Sequence, residues 1–199
     1  MRFLDNRFYW WANRASSYLL LGGLWFLCSL PLLTLFPATA AMFATFRAWQ
    51  DNPDDAFYLP FFARLRGYFL KDFLLGLGWL LFAGLLVLNA LLLPGLAELA
   101  SVLLPVGVAL LVLAAVLYAV TTVFVFPLRA SRPLSAWGSV QAALVLGMTQ
   151  LGTTALCLLV WALAGLAVWT FPPSLIVSVP VAGHLSYWLC ERRLKRVFG

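Results

Sequence analysis

The sequence predicts an all-α membrane protein, a polytopic helix bundle of five full spans plus a short proline-bounded return arm near the N-terminus, with interfacial amphipathic helices beside them. Three observations predict it. The chain is 64% hydrophobic and 10% charged over 199 residues, whereas soluble proteins carry about 25% charged residues. Its apolar residues fall in long uncharged runs, and a helix rising ~1.5 Å per residue needs about 20 of them to cross a hydrocarbon core of about 30 Å. Its thirteen Lys and Arg fall in clusters separated by those runs. The parts read as one integral membrane domain, 1–199: an interfacial segment (1–16), a helical hairpin (17–49), an interfacial helix (54–72), a four-span bundle (73–190) and a basic cytoplasmic tail (191–199).

In the first segment Arg2, Asp5, Arg7 and Arg14 mix with Phe3, Phe8, Tyr9, Trp10 and Trp11, a composition that favours the headgroup region. Ser17 to Phe36 is uncharged and supplies one crossing. Pro31 and Pro37 each remove a backbone donor, and Pro37 disfavours a helical residue before it. The first helix is therefore expected to stop and turn. Ser29, Thr34 and Thr39 can bond carbonyls freed by the prolines, since unsatisfied backbone groups in lipid cost several kcal/mol each. Ala38, Ala40, Ala41, Ala44 and Ala48 then offer a small-residue face for close helix approach. One kinked helix is the alternative to a hairpin. A secretory signal ending at Ala38-Thr39-Ala40 is a further one, but its apolar run is longer than the usual ~7–15 residues.

The pattern Ser29-Leu30-Pro31, Thr34, Pro37-Ala38-Thr39-Ala40-Ala41, then Phe43, Arg47 and Trp49, resembles the signature of the YesL-like family of small bacterial membrane proteins of unknown function. The likeness continues through Phe61-Phe62-Ala63-Arg64, Tyr68-Phe69 and Asp72-Phe73, and returns weakly at Phe126-Pro127-Leu128 and Arg196-Val197-Phe198. Phe36 departs from it, because the family more often has glycine before the proline. The resemblance implies a membrane protein often encoded near carbohydrate uptake and breakdown systems. It carries over no catalytic residue.

Gln50 to Asp55 is a polar turn containing Pro53. From Phe61 to Phe73 a helical wheel gathers Phe61, Phe62, Leu65, Tyr68 and Phe69 on one sector, with Arg64 and Lys71 on one flank and Arg66 on the other. These cations can snorkel to phosphates or meet a partner. Phe73–Leu93 and Val106–Phe126 are spans, joined by a connection holding Glu98. After Arg129 and Arg132 an apolar run reaches Thr170, and Phe171-Pro172-Pro173 turns the chain into a last span, Ser174–Cys190.

Lys and Arg lie before Ser17, between Arg47 and Lys71, at Arg129 and Arg132, and after Cys190; the connections Pro94–Ser101 and Phe171–Ser174 have none. The positive-inside rule places the basic regions and both termini in the cytoplasm, in a multi-pass protein of the cell membrane. With residues before Ser17 and after Arg47 on one side, the chain between must enter and return. The return arm, Ala38 to about Trp49, covers under about 20 Å and is either re-entrant or a crossing. Five spans with an outside N-terminus is the alternative.

Motifs for chemistry are sparse. Thr149, Gln150, Thr153 and Thr154 cluster at helical spacing and can line a polar path with His184, or simply bond between helices. His184 has no carboxylate in its span, and no G-x-S-x-G, nucleotide-binding or metal-ligand spacing is present, so no cofactor is expected. Cys28, Cys157 and Cys190 lack paired spacing and read as buried thiols. The net charge of +6 suits anionic lipid at the cytoplasmic face and calls for neither nucleic acid nor nucleotide. The expected role is a nonenzymatic accessory or partner of a bacterial membrane transport system, by association with a second membrane protein or with itself. The alternative is a small carrier or channel for a neutral solute such as a sugar.

Overall fold

The computed structural model describes residues 2–52, 56–96, 104–132 and 135–198. Pro53, Glu98 and the bulk of the Pro94–Ser101 connection lie outside them, as do the side chains of residues 2–11 and 194–198. The described residues form seven α-helices, linked in places by short 3-10 turns: α1 Arg2–Ser29, α2 Leu35–Asp51, α3 Tyr58–Leu92, α4 Leu104–Ser131, α5 Ala136–Thr149, α6 Leu151–Thr170 and α7 Leu175–Phe198. Among the described residues four helical stretches are long and apolar enough to cross a membrane: Leu32–Asp51, Tyr58–Leu92, Leu104–Ser131 and Leu151–Thr170.

α2 occupies the centre. It packs against α1, α3, α4 and α7, while α5 and α6 lie outside it against α4 and α7. Its apolar window is 61% buried, against 6% for that of α3. That contrast separates an interior helix from one whose leucines face outward, as a bilayer would require.

The hairpin is formed by α1 and α2 running antiparallel. Trp25 Nε1 donates to Thr39 Oγ1 at 3.1 Å across it, and nearer its open end Tyr18 meets Trp49 edge-on at 5.2 Å. At the bend, Thr34 Oγ1 donates to the carbonyls of Cys28 (2.6 Å) and Pro31 (2.7 Å). The Cys28 carbonyl is one that the end of α1 leaves without its usual helical donor, and the Pro31 carbonyl also accepts from the Thr34 amide at 2.8 Å. Pro37 lies in the first turn of α2, where a missing N–H costs little. The return arm is consequently longer than the sequence suggests: Leu35–Asp51, 17 residues, or about 25 Å.

Three other boundaries differ from the expected ones. The interfacial helix 54–72 and the span after it are one helix, because Lys71-Asp72 does not interrupt α3 and Asp72 turns inward, only 2% exposed. The expected single run to Thr170 is two helices that meet at Gln150, with φ −115° and ψ 46°. The last span and the basic tail form one helix, α7, with Pro180 inside it. On that helix Ile176, four residues before Pro180, has lost its usual helical donor. Gly22 of α1 packs so closely there that a Cβ on it would come within 1.8 Å of the Ile176 carbonyl oxygen.

Candidate functional site

Arg47, Arg64, Lys71, Arg129 and Arg132, scattered along the chain, meet at one end of the bundle. Asp72 on α3 accepts from Arg129 Nε of α4 at 2.8 Å and pairs with Arg129 Nη2 as well. From two turns earlier on α3, Arg64 Nε donates to Asp72 Oδ2 at 3.2 Å and Nη2 to Oδ1 at 3.3 Å. Arg64 also stacks over Tyr68, 4.3 Å from its ring centre. Next to this triad, Arg47 Nη1 of α2 donates to the Ala130 carbonyl at 2.7 Å, one of the last carbonyls of α4, which no residue of its own helix can satisfy. Ser131 Oγ donates to Glu191 Oε2 of α7 at 3.2 Å and lies 3.3 Å from the Tyr187 hydroxyl. Four helices are thus tied together by polar contacts at this end.

A groove of about 830 Å³ opens beside the triad. Arg64, Lys71, Arg129 and Arg132 supply its cations, Tyr68, Trp79 and Trp137 its aromatic surfaces, and Leu74, Leu75 and Val140 an apolar wall. Ser135 and Ala136 bring the first turn of α5 to it. Ser135 caps that helix by accepting from the Gly138 amide at 3.1 Å. With both Asp72 oxygens engaged by guanidinium groups, the carboxylate is held as a structural acceptor, and what faces the groove is positive. Such a surface can bind an anion.

The residues singled out from sequence fall in three places. At the bend, Thr34 and Thr39 bond backbone carbonyls, Thr39 that of Leu35 at 2.7 Å, Pro31 and Pro37 bound the turn, and the buried Ser29 hydroxyl has no partner. Most of the alanine face after Pro37 is spent inside the molecule, since Ala38, Ala40 and Ala41 are buried and Ala44 and Ala48 half-buried. The Thr149–Thr154 group does not form one wall. Thr149 is exposed and bonds the Val145 carbonyl, Gln150 breaks the helix, Thr153 is buried, and Thr154 Oγ1 donates to the Gly147 carbonyl across the break at 3.0 Å. His184 sits elsewhere, edge-on to Phe46 (5.2 Å) and Tyr18 (5.7 Å), with Nδ1 unpartnered. Of the interfacial cations, Arg64 and Lys71 line the groove, while Arg66 is exposed and is not among its walls.

Sequence reading missed Asp72, Arg129, Arg132, Trp79 and Trp137 as site residues. A signal existed for the first: Arg64 and Asp72 are eight apart, close to one helical face, at the point where a basic segment becomes a span. Nothing in the spacing of Arg129 announces its partner. Cys157 and Cys190 likewise come together in one buried cluster as free thiols. Among the described residues no three His, Cys, Asp or Glu side chains are grouped to hold a metal ion.

No curated protein and no solved structure matches the chain. Residues 18–90, which run from Tyr18 of α1 through α2 to near the end of α3 and include Arg64 and Asp72, are similar to the family described as "Protein of unknown function, DUF624".

Proposed function

We propose that the protein is a nonenzymatic accessory or partner subunit of a bacterial membrane transport system, working by binding at the basic end of the bundle. The observation that carries this reading is the packed centre. Ala38, Ala41, Met42 and Phe46 of α2 are fully buried, and Phe43 stacks on Phe126 at 5.7 Å and meets Tyr187 at 6.3 Å. A polar solute crossing here would have to displace this plug, and the threonines and His184 that could have lined its way lie apart. Broken backbone after Ser29, a feature of transporters when it lines a cavity, is instead bridged by Thr34, whose hydroxyl bonds the Cys28 and Pro31 carbonyls. Carbohydrate as the transported class rests on the YesL-like resemblance alone.

With most of the alanine face buried, the surface that combines exposed apolar side chains with a cation is the outer side of the first half of α3, where Leu59, Phe62, Phe69 and Leu70 are exposed around Arg66. Cross-linking in native membranes from a photoreactive residue at Phe62, followed by gentle purification, tests this. A stoichiometric second membrane protein, lost in the Arg66→Glu variant, is the expected result. A chain that cross-links only to lipid from Phe62 would defeat the reading.

A further inference from the structure

Arg129, which lines the groove, carries more donors than Asp72 takes up. Arg64, Lys71, Arg129 and Arg132 face the groove, and Asp72 is already shared between two of them. Arg129 is 5% exposed, yet its Nη1 has no hydrogen-bond partner. A buried donor left unpaired is costly, so a guanidinium in that state is poised for an acceptor with several oxygens. The first turn of α5 forms part of the rim, and the positive end of a helix dipole adds to the field there.

The remainder of the groove is of opposite character. Leu74, Leu75, Trp79 and Val140 line it, and Leu74 continues into the outward apolar face of α3 through Leu81, Leu85 and Leu88, all exposed. Cations at one end and a hydrocarbon-like wall at the other, along a single helix, match a molecule with a phosphate at one end and a hydrocarbon chain at the other.

We infer that this groove binds an amphiphile with an anionic phosphate monoester at its head, the phosphate held by Arg129, Arg132 and Lys71 and the chain laid along α3. This goes beyond the accessory reading, because the site is complete within one chain whether or not a second protein docks. No bond is made or broken in it.

The same phosphate chemistry could come from a lipid or from free phosphate, and the test separates them. The full chain, in nanodiscs of phosphatidylcholine, is titrated with phosphatidic acid, with added phosphatidylcholine and with inorganic phosphate, binding being read by native mass spectrometry. Phosphatidic acid should bind saturably and at least tenfold tighter than the other two. Lys71→Gln with Arg132→Gln, both exposed and outside the Asp72 triad, should weaken it at least tenfold, and Val140→Trp should do so from the apolar end. Arg66→Gln should change nothing. Equal binding of phosphatidic acid and phosphatidylcholine, or wild-type affinity in both the charge and the Val140 variants, would overturn the site. Inorganic phosphate binding as tightly as phosphatidic acid would overturn its amphiphilic character.

Discussion

Asp72 on α3 and Arg129 on α4, 57 residues apart in the chain, form a buried ion pair with Arg64 closing its outer side. The pair fixes the angle between two helices and, through Arg129, the floor of the groove. Removing one member of such a pair leaves a buried charge uncompensated, at a cost of roughly 3–5 kcal/mol, while replacing both with apolar groups is often near neutral. Asp72→Asn should therefore lower the thermal midpoint in detergent markedly, and Asp72→Leu with Arg129→Met should recover most of the loss. An Asp72→Asn protein as stable as wild type would mean the pair does not hold α3 to α4.

Gly22 and Gly23 provide an internally controlled test of the α1–α7 contact. A Cβ at Gly22 meets the Ile176 carbonyl, whereas one at Gly23 meets nothing within 4 Å. Gly22→Ala should sharply reduce folded yield on size exclusion. Gly23→Ala should be neutral or gain up to about 1 kcal/mol in helix propensity. Equal yields from the two variants would show that α1 does not approach α7 so closely.

Threading follows from the hairpin. In a background with Cys28, Cys157 and Cys190 replaced by alanine, single cysteines at Ala12 and Asn52 should share one accessibility to an impermeant thiol reagent. Cysteines at Gly95 and Phe171 should show the opposite one. Labelling of Ala12 and Asn52 from different sides would mean that α1 and α2 do not return the chain to its starting face.

The Trp79–Thr122 contact is a smaller probe of the α3–α4 seam. Trp79 Nε1 donates to Thr122 Oγ1 at 2.9 Å, and such bonds in membrane proteins average about 0.6 kcal/mol. Thr122→Val should cost about that much in chemical unfolding, several-fold less than Asp72→Asn. A larger cost than that of Asp72→Asn would assign the seam to this contact instead.

The all-helical character and the hairpin were legible because they rest on strong local signals: uncharged runs, two prolines six residues apart, and cations on either side of them. The length of α2 was not, since Pro37 reads as a stop although it sits in a first turn that tolerates it. Continuity of α3 was hidden for a related reason. Lys71-Asp72 looks like the edge of a span, and a buried Asp72 is tolerable because Arg129, far along the chain, joins Arg64 in pairing with it. The break at Gln150 left a trace in Gly147 and Gly152, but not in Thr154, which bonds the Gly147 carbonyl only once the chain has bent there. The groove was least legible, being assembled from α3, α4 and α5 by packing that no single stretch encodes.

The packed centre is most directly tested by flux. The purified chain alone, reconstituted into liposomes and offered a panel of radiolabelled neutral sugars and polyols under equilibrium exchange, should take up each at the rate of protein-free liposomes, because Phe43, Phe46 and their neighbours close the bundle around α2. Saturable uptake of any one of them by the wild-type protein would contradict a binding role and make the protein a carrier.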